Sequence, residues 1–464
     1  MVLTPSDVPT TTVCIIGAGI GGSSVAHFLR KYYPNSTPFT KILIFEKNPV
    51  VGGRMATVTI GGHTFEAGAS ILHPKNLHAA SYAKLLNLKV KQYSSKSPSL
   101  GIWDGNKLVF NSVNIATSSS SCCNIPLIDK LGFLATHVTR LFLRYGVRSF
   151  LKTKNLVDYA VERFSKYYEG GESRPVFETV DDMLKWAGLY HLTTTTLKDE
   201  LLDAGSSPLF IDELVNVITR VNYGQSVRMS ALAGTISIAG SSAAGVWSIK
   251  GGNWKIAAGL IKESNAVLRL NEEIDGVARV GDCYELKSTK GKRYKCDVVV
   301  VATPLDELNI RFTPPISPIP ERKLQHTYAT FVWGLLNHEY FGLKCESEVP
   351  EVLGTVEDPD LPFSCIAIIK EHNEKEFTYK IFSRQPMEDT LLDRMFSVRK
   401  ETVRKNWAAY PQYHAPEVFA PFILDGRHLY YVNAFENAAS TMETSAVAAE
   451  NIARLILSRY FKAK

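Results

Sequence analysis

Three clusters of glycine and charge lie between residues 13 and 57, and their order is that of a dinucleotide site. The apolar run Val13-Cys14-Ile15-Ile16 leads into Gly17-Ala18-Gly19-Ile20-Gly21-Gly22. In a strand–turn–helix unit the first glycine of Gly-x-Gly-x-x-Gly makes the tight turn. The second lets backbone approach a pyrophosphate, and the third lets the helix pack close to the sheet. The helix N-terminus beyond it offers N–H donors and a positive dipole end to phosphate. Glu46 ends a second apolar run, 42–45. A carboxylate there accepts both hydroxyls of an adenosine ribose and repels a 2′-phosphate, which argues against NADP. Gly52-Gly53-Arg54-x-x-Thr57 follows. Its glycines let the chain pass close to a ligand, and Arg54 can neutralise phosphate charge. Strand, helix, acid and Gly-Gly-Arg together predict FAD, with Gly17, Gly19, Gly22, Glu46, Gly53 and Arg54 holding its ADP half. Glu46 stands further from the glycines than the usual spacing of about 20 residues. Residues 33–38 read as an extended loop that takes up the difference.

The elements that must position these groups are spread along the chain. Gly61-Gly62-His63-Thr64-Phe65-Glu66-Ala67-Gly68-Ala69-Ser70 reads as a hairpin strand entering a small-residue loop. Such a loop can lie against a flat ring, or be simply a turn and a packed strand. Residues 112–126 are rich in Ser, Thr and Asn, with Cys122 and Cys123 inside, and read as a surface loop or lid. In the helical stretch expected over 126–164, Arg140, Arg144, Arg148 and Lys152 recur every four positions, along one face. The face is either a solvated basic stripe or one that lies on an anionic membrane surface. A second nucleotide-domain segment begins near Gly245, with a helix over 254–264 and strands over 267–270, 283–286 and 297–303. The last is wholly apolar, as a buried parallel strand should be. The third segment holds a strand over 429–432, a turn carrying Glu436 and a helix over 438–461. Glu436 can hold ribityl or phosphate groups, or cap the helix. The helix N-terminus can stabilise negative charge on a reduced flavin. The expected fold is α/β: a Rossmann-type FAD-binding domain from residues 10–80, 240–304 and 425–464. An α+β substrate domain, a mixed sheet plus helices, comes from 81–239 and 305–424.

A chain of 464 residues exceeds one core, so two domains are expected. No apolar run approaches the roughly 20 residues that span a bilayer. The net charge of +6 is carried by interspersed acids and bases, and no nucleic-acid motif appears, so nucleic acid is not an expected partner. The seven cysteines form no Cys-x-x-Cys pair and no cluster with histidine, so no metal is expected. Scattered, they read as free thiols, with Cys14 a small buried hydrophobe and one bridge left open. Residues 1–12 lack the cationic start and apolar core of a secretory signal. Asn35-Ser36-Thr37 is a glycosylation sequon.

Through nearly its whole length the chain resembles the prenylcysteine oxidase, or farnesylcysteine lyase, family, within the larger group of flavin amine oxidases and phytoene desaturases. Gly17 to Gly22 and Val51-Gly52-Gly53-Arg54-Met55-Ala56-Thr57 are motifs shared by many flavoenzymes. The more specific ones are Asn222-Tyr223-Gly224-Gln225-Ser226 and Ala438-Ala439-Ser440-Thr441-Met442-Glu443. Gly245-Val246-Trp247-Ser248-Ile249-Lys250-Gly251-Gly252-Asn253 also matches. The resemblance implies an FAD-dependent thioether oxidase acting on S-farnesyl or S-geranylgeranyl cysteine from degraded prenylated proteins. Oxygen is the acceptor; cysteine, a prenyl aldehyde and hydrogen peroxide are the products. Hydride loss from the allylic carbon beside sulfur leaves a cation shared by sulfur and the double bond. Flavin accepts the hydride, and water attack and collapse follow. No strong base is needed for hydride loss.

By the same resemblance Ala69 and Ser70 lie near the isoalloxazine and Ile274 meets the adenine. Glu436 and the Met442 N–H contact the ribityl chain and the pyrimidine end. No His or Cys attachment motif stands beside the Gly-Gly-Arg or Glu436, so the flavin is expected to be non-covalent. Substrate groups are less defined. Arg220 could bind the amino-acid carboxylate or form a structural ion pair. His73 could relay a proton of the attacking water or be structural. Tyr223 completes the candidate set. The prenyl tunnel is expected from residues 130–240 and the sheet of 325–385. The resemblance implies lysosome, vacuole or endomembrane, and the cytosol is the alternative for a chain without a signal. Competing readings are another FAD oxidoreductase acting on an amine or isoprenoid, and a non-catalytic prenyl-binding protein like the escort proteins of prenylated GTPases.

Overall fold

The computed structural model describes residues 11–32, 41–93, 98–113, 139–242, 245–306, 308–373 and 375–461. Its nucleotide layer is a parallel sheet in the spatial order Leu429–Tyr431, Val298–Val301, Thr12–Ile16, Lys41–Phe45, Val267–Arg269. Val13 pairs with Val298 and Ile42, and Val299 with Leu429, so three distant segments share one sheet. The central strands are apolar without alternation because both faces are covered, as parallel sheets require. Helix Ile20–Tyr32 packs between Trp254–Glu263 and Met442–Ile456. A second sheet joins the hairpins of Ile274–Val280, Cys283–Ser288 and Arg293–Cys296 to Arg311–Thr313.

Cys14 is not a free thiol. It is bonded to Cys296, 282 residues away. Cys296 stands two residues before Val298, and Val298 pairs with Val13. Strand Arg293–Cys296 of the second sheet packs against Thr12–Ile16, and this brings the sulfurs together, which sequence spacing could not show. Cys283, Cys345 and Cys365 are free, and Cys122 and Cys123 lie outside the described residues.

The substrate layer is a seven-stranded mixed sheet in the order Phe396–Pro411, Leu324–Leu336, Glu376–Ser383, Cys365–Asn373, Val352–Thr355, Leu100–Trp103, Leu108–Asn111. Neighbouring strands are antiparallel except Val352–Thr355 and Leu100–Trp103, which pair in parallel. Phe331 and Ala329 face Val58 and Ile60 of the hairpin Thr57–Ile60/His63–Glu66. Val332 and Ile381 face Phe341, Leu392 and Met395 on the other side. Helix Asn216–Tyr223 packs on strands Val352–Thr355 and Cys365–Asn373 and on helix Ala231–Ser242, which packs in turn on Val147–Ser165.

Two expectations change. The basic residues at 140, 144, 148 and 152 do not share one helix, because Gly146 adopts φ +78° and separates Tyr145 from Val147–Ser165. Arg144 is bound to Glu213 through two bonds of 2.8 and 2.7 Å. Among the described residues no helix is long and apolar enough to cross a membrane. The helix expected over 438–461 begins as an α-helix only at Met442, after the 3₁₀ segment Val432–Asn437. Thr441 caps it: its hydroxyl accepts the Thr444 N–H at 3.0 Å, and the Thr444 hydroxyl accepts the Thr441 N–H at 2.9 Å. The Asn35 sequon and most of the Ser/Thr-rich stretch, residues 114–126, lie outside the described residues.

A dinucleotide cleft that opens into an apolar chamber

The glycine turn has the geometry a pyrophosphate cradle needs. Gly17 has φ +109°, and a Cβ there would lie 2.6 Å from the Ala302 carbonyl oxygen. A Cβ on Gly22 would lie 2.0 Å from the Gly17 oxygen, so only glycine lets helix Ile20–Tyr32 sit this close. Gly19 differs: the nearest atom to its Cβ would be 3.8 Å away. A side chain there would fill the cleft, not the protein. Gly52 donates to the Ala18 oxygen at 3.0 Å and brings Gly53 and Arg54 across the mouth.

Glu46 is buried at the tip of its strand. Its Oε2 accepts the Ala18 N–H at 3.0 Å, and its Oε1 accepts from the Asn48 N–H and Nδ2 at 3.0 and 2.7 Å. Glu272 N–H donates to the Glu46 oxygen at 2.9 Å, which sets Ile274 beside the same end of the cleft. The cleft holds about 520 Å³ and runs from Glu46 to the first turn of helix Met442–Ile456. Acid at one end, bare glycine backbone in the middle and a helix N-terminus at the other fit a dinucleotide.

Glu436 takes a different place from the one expected. Its Oε1 accepts from Arg54 and from Ser440 Oγ at 2.9 Å, and its Oε2 from Arg322 at 3.2 Å and Asn433 Nδ2 at 3.0 Å. Four donors use both oxygens, so none is left for a ribityl hydroxyl. Thr441, not Glu436, caps the helix. The two guanidiniums hold the buried Glu436 carboxyl down at about 2 against burial. Glu436 therefore orients Arg54, whose Nη1 also donates to the Ala409 oxygen at 2.7 Å. Met442 lines the cleft with Thr441 and Ser445.

Ala69 and Ser70 lie where the cleft ends. Asn253, fully buried, donates through Nδ2 to the Ala69 and Ser70 carbonyls at 2.9 and 3.2 Å, and its Oδ1 accepts the Ile249 N–H at 2.9 Å. This residue shapes the loop. Only its place after Gly251-Gly252 hinted at it.

A second cavity of about 730 Å³ meets the cleft at Ala69, Asn222, Phe382, Tyr410 and Met442, which line both. Leu72, Phe164, Tyr168, Ile236, Ala239 and Ile369 make its walls largely apolar. Tyr223 is one wall. Its hydroxyl donates to the Ser440 oxygen at 3.0 Å, and its ring is edge-on to Tyr410 at 4.7 Å and Tyr413 at 5.2 Å. Burial raises its phenol well above the ordinary range, so it stays neutral. His73 also lines the chamber. Its Nδ1 accepts the Lys75 N–H at 3.0 Å, and burial with the Lys75 charge lowers its pKa, so the ring is neutral at pH 7.

Arg220 is not a carboxylate receptor. Its Nε pairs with Glu357 at 2.9 Å, and Nη1 donates to the Thr355 oxygen at 2.6 Å and to that of Val356. The buried guanidinium, drawn down to about 10 by desolvation, ties helix Asn216–Tyr223 to strand Val352–Thr355. It lines the dinucleotide cleft and not the apolar chamber.

Lys380 has no counterpart in the sequence reading. It is 9% exposed, and its Nζ donates to the Glu66 carbonyl oxygen at 3.0 Å and Ser70 Oγ at 3.1 Å. Burial draws its ammonium down to about 8. Glu66 is pushed up to about 7 by burial, although its carboxylate accepts the Asn253 N–H at 2.7 Å. A lysine between Tyr379 and Ile381 reads as the solvent side of an amphipathic strand. Only packing against the hairpin shows otherwise.

Residues 131–464 match the model of the prenylcysteine lyase family, and residues 15–85 that of an NAD(P)-binding Rossmann-like domain. The chain is 57% identical over 452 residues to a farnesylcysteine lyase of Arabidopsis thaliana, covering 97% of this chain and 88% of that one. It is 32% identical over 481 residues to prenylcysteine oxidase 1 of Homo sapiens, covering 97% and 90%. A triple mutant of putrescine oxidase superposes with TM-score 0.62 at 14% identity, covering 97% of this chain and 100% of that one. Cyclohexylamine oxidase from Brevibacterium oxydans IH-35A gives 0.62 at 16%, covering 97% and 99%. These two share the fold. Family model and full-length relatives agree: the chain belongs to the prenylcysteine lyase family.

Proposed function

We propose that this chain is an FAD-dependent thioether oxidase that cleaves S-prenyl-L-cysteine, farnesyl or geranylgeranyl, to cysteine, prenyl aldehyde and hydrogen peroxide. The observation that carries this is the meeting of the dinucleotide cleft and the apolar chamber at Ala69, Phe382 and Tyr410. Glu46 would hold the ribose, Gly19 and the helix it opens the pyrophosphate, Ile274 the adenine, and the Met442 N–H the pyrimidine end. FAD supplies the acceptor for the hydride of the allylic carbon beside sulfur and passes the electrons to oxygen. The protein's part is orientation and dryness: the chamber holds the tail, sets that carbon at the junction and keeps bulk water out. Its volume falls within the roughly 300–1,000 Å³ of small-molecule sites.

The test is an anaerobic titration of the purified protein with S-farnesyl-L-cysteine. The flavin band should bleach, then recover with peroxide when air is admitted. An unchanged band rules out this substrate, and the absence of flavin turns the reading to a prenyl-binding protein.

Gly240 offers a gauge of where the tail lies. It lines the chamber from helix Ala231–Ser242, and among the described residues no atom lies within 4 Å of where its Cβ would be. Gly240→Phe would fill that space without crowding the fold. It is expected to lower kcat/KM for geranylgeranylcysteine about tenfold more than for farnesylcysteine. Equal effects on both would show that the tail ends elsewhere.

The Cys14–Cys296 bridge supports an oxidising compartment, hence the lysosome, vacuole or another endomembrane lumen. Protein alkylated in intact cells should yield the cross-linked Cys14–Cys296 peptide. Two alkylated thiols would exclude that placement.

A further inference from the structure

Lys380 is a buried cation that neither the dinucleotide nor an apolar tail requires. Strand Glu376–Ser383 runs inside the seven-stranded sheet, where Lys380 pairs in register with Phe331 on one side and Ala367 on the other. It shares a sheet face with Phe382, two residues on, which lines both cavities. Its Nζ lies 4.7 Å from the Phe382 ring centroid and 5.6 Å from that of Phe331. Among the described residues no carboxylate is within ion-pair distance. The titratable groups that face it are Glu66 on the hairpin and the Cys365 thiol on the neighbouring strand. Ser70 Oγ, which donates to the Gly68 oxygen at 2.7 Å, accepts from Nζ and so holds the amine in the chamber wall near Phe382.

We propose that Lys380 Nζ, in its amine form, takes the proton of the water that attacks the oxidised prenyl carbon. The inference rests on the thioether-oxidase reading. Once hydride has left, the carbon beside sulfur is electron-poor. The water oxygen bonds to it, one O–H bond breaks, and that proton makes the ammonium of Lys380. The hemithioacetal then collapses. The C–S bond breaks with its pair going to sulfur, sulfur takes the proton from Nζ, and the hydroxyl proton returns to Nζ. One proton per turnover passes on to solvent, matched by the one that peroxide formation consumes. The neighbours are worse placed. Glu66 also lines the chamber, but it spends one oxygen on the Asn253 N–H, and with its carboxyl at about 7 it is a weaker base than the Lys380 amine at about 8. His73 Nδ1 is occupied by the Lys75 N–H, and Tyr223 stays protonated. The desolvation that draws Lys380 to about 8 makes its amine available near neutral pH.

Lys380→Met removes the amine and keeps the length of the side chain. In anaerobic single turnovers of the flavin-loaded protein with S-farnesyl-L-cysteine, flavin bleaching and thiol release are followed together. Bleaching should stay within about threefold of wild type, while thiol release falls at least about 100-fold. Binding of S-dodecyl-L-cysteine, a saturated thioether without the allylic position, should be unchanged by calorimetry. Wild-type thiol release should rise with pH through about 8, and the rise should vanish in the variant. Ser70→Ala, which preserves packing, should shift that midpoint and serves if Lys380→Met folds poorly. Thiol release as fast as wild type overturns the proposal. So does lost binding of the saturated analogue with normal release at saturation, since Lys380 would then be a carboxylate anchor. Wild-type protein that bleaches no flavin overturns the thioether reading itself, a separate result.

Discussion

Gly19→Val should give a folded protein that purifies without flavin. The substitution does not crowd the fold, since the nearest atom to the new Cβ would be the Gly52 oxygen at 3.8 Å. The valine methyl groups would instead stand where the backbone must approach a pyrophosphate. Flavin content should drop to about a tenth of wild type or less. Circular dichroism and the melting curve of the flavin-free protein should be unchanged. Gly22→Val is the contrast. Its Cβ would lie 2.0 Å from the Gly17 oxygen, so the helix could not dock and little folded protein should form. Absorbance at the flavin band, read against protein concentration, decides the matter. A Gly19→Val protein with full flavin content would falsify the placement of the pyrophosphate.

Glu436→Gln should give a folded but strongly destabilised protein. The carboxylate is buried between Arg54 and Arg322, and the amide leaves both guanidiniums facing a neutral group. Arg322 keeps Asp306, 2.5 Å away, but Arg54 keeps only a carbonyl. Breaking a buried pair this way costs about 3–5 kcal/mol. The pH dependence has a definite sign. The folded pKa, about 2, lies below the ordinary 4.5, so the ionised group stabilises the fold above pH 4.5. That contribution, on the order of 3 kcal/mol, is lost as pH falls from about 4.5 towards 2. Urea unfolding at pH 7 should show the loss in the variant. Between pH 5 and about 2 the stability of the wild type should fall towards that of the variant. A loss at pH 7 under about 1 kcal/mol would mean that Arg54 and Arg322 find other partners.

Much of the cleft was legible because its demands are local. Gly17 and Gly22 answer to one turn and one helix, and Glu46 to the end of one strand. Each requirement acts over a few residues of backbone, so residue type and spacing expose it. Met442 was singled out only through resemblance, and Asn253 was not singled out, since neither residue type announces a role. The apolar strands at 13–16 and 298–301 reported their burial directly, because both faces of a parallel sheet are covered.

Charged side chains were less legible. By type and position Arg220 reads as a carboxylate partner or a structural ion pair, and Glu436 as a ligand contact or a helix cap. Arg220 is held by Glu357, 137 positions away in the chain, and Glu436 is filled by donors from four separate positions. Lys380 carried no signal in the sequence, because only the hairpin packed on its face of the sheet buries it. The Cys14–Cys296 bond needed the packing of a second-sheet strand, Arg293–Cys296, against Thr12–Ile16. The sequence by itself determined the nucleotide fold, the family and the backbone cradle, because glycine conformation and apolar periodicity are properties of short segments. Only the tertiary structure decided which charges are spent on each other and which remain to do chemistry. A buried ion's state depends on what the fold places within a few ångströms of it, and those neighbours come from anywhere in the chain.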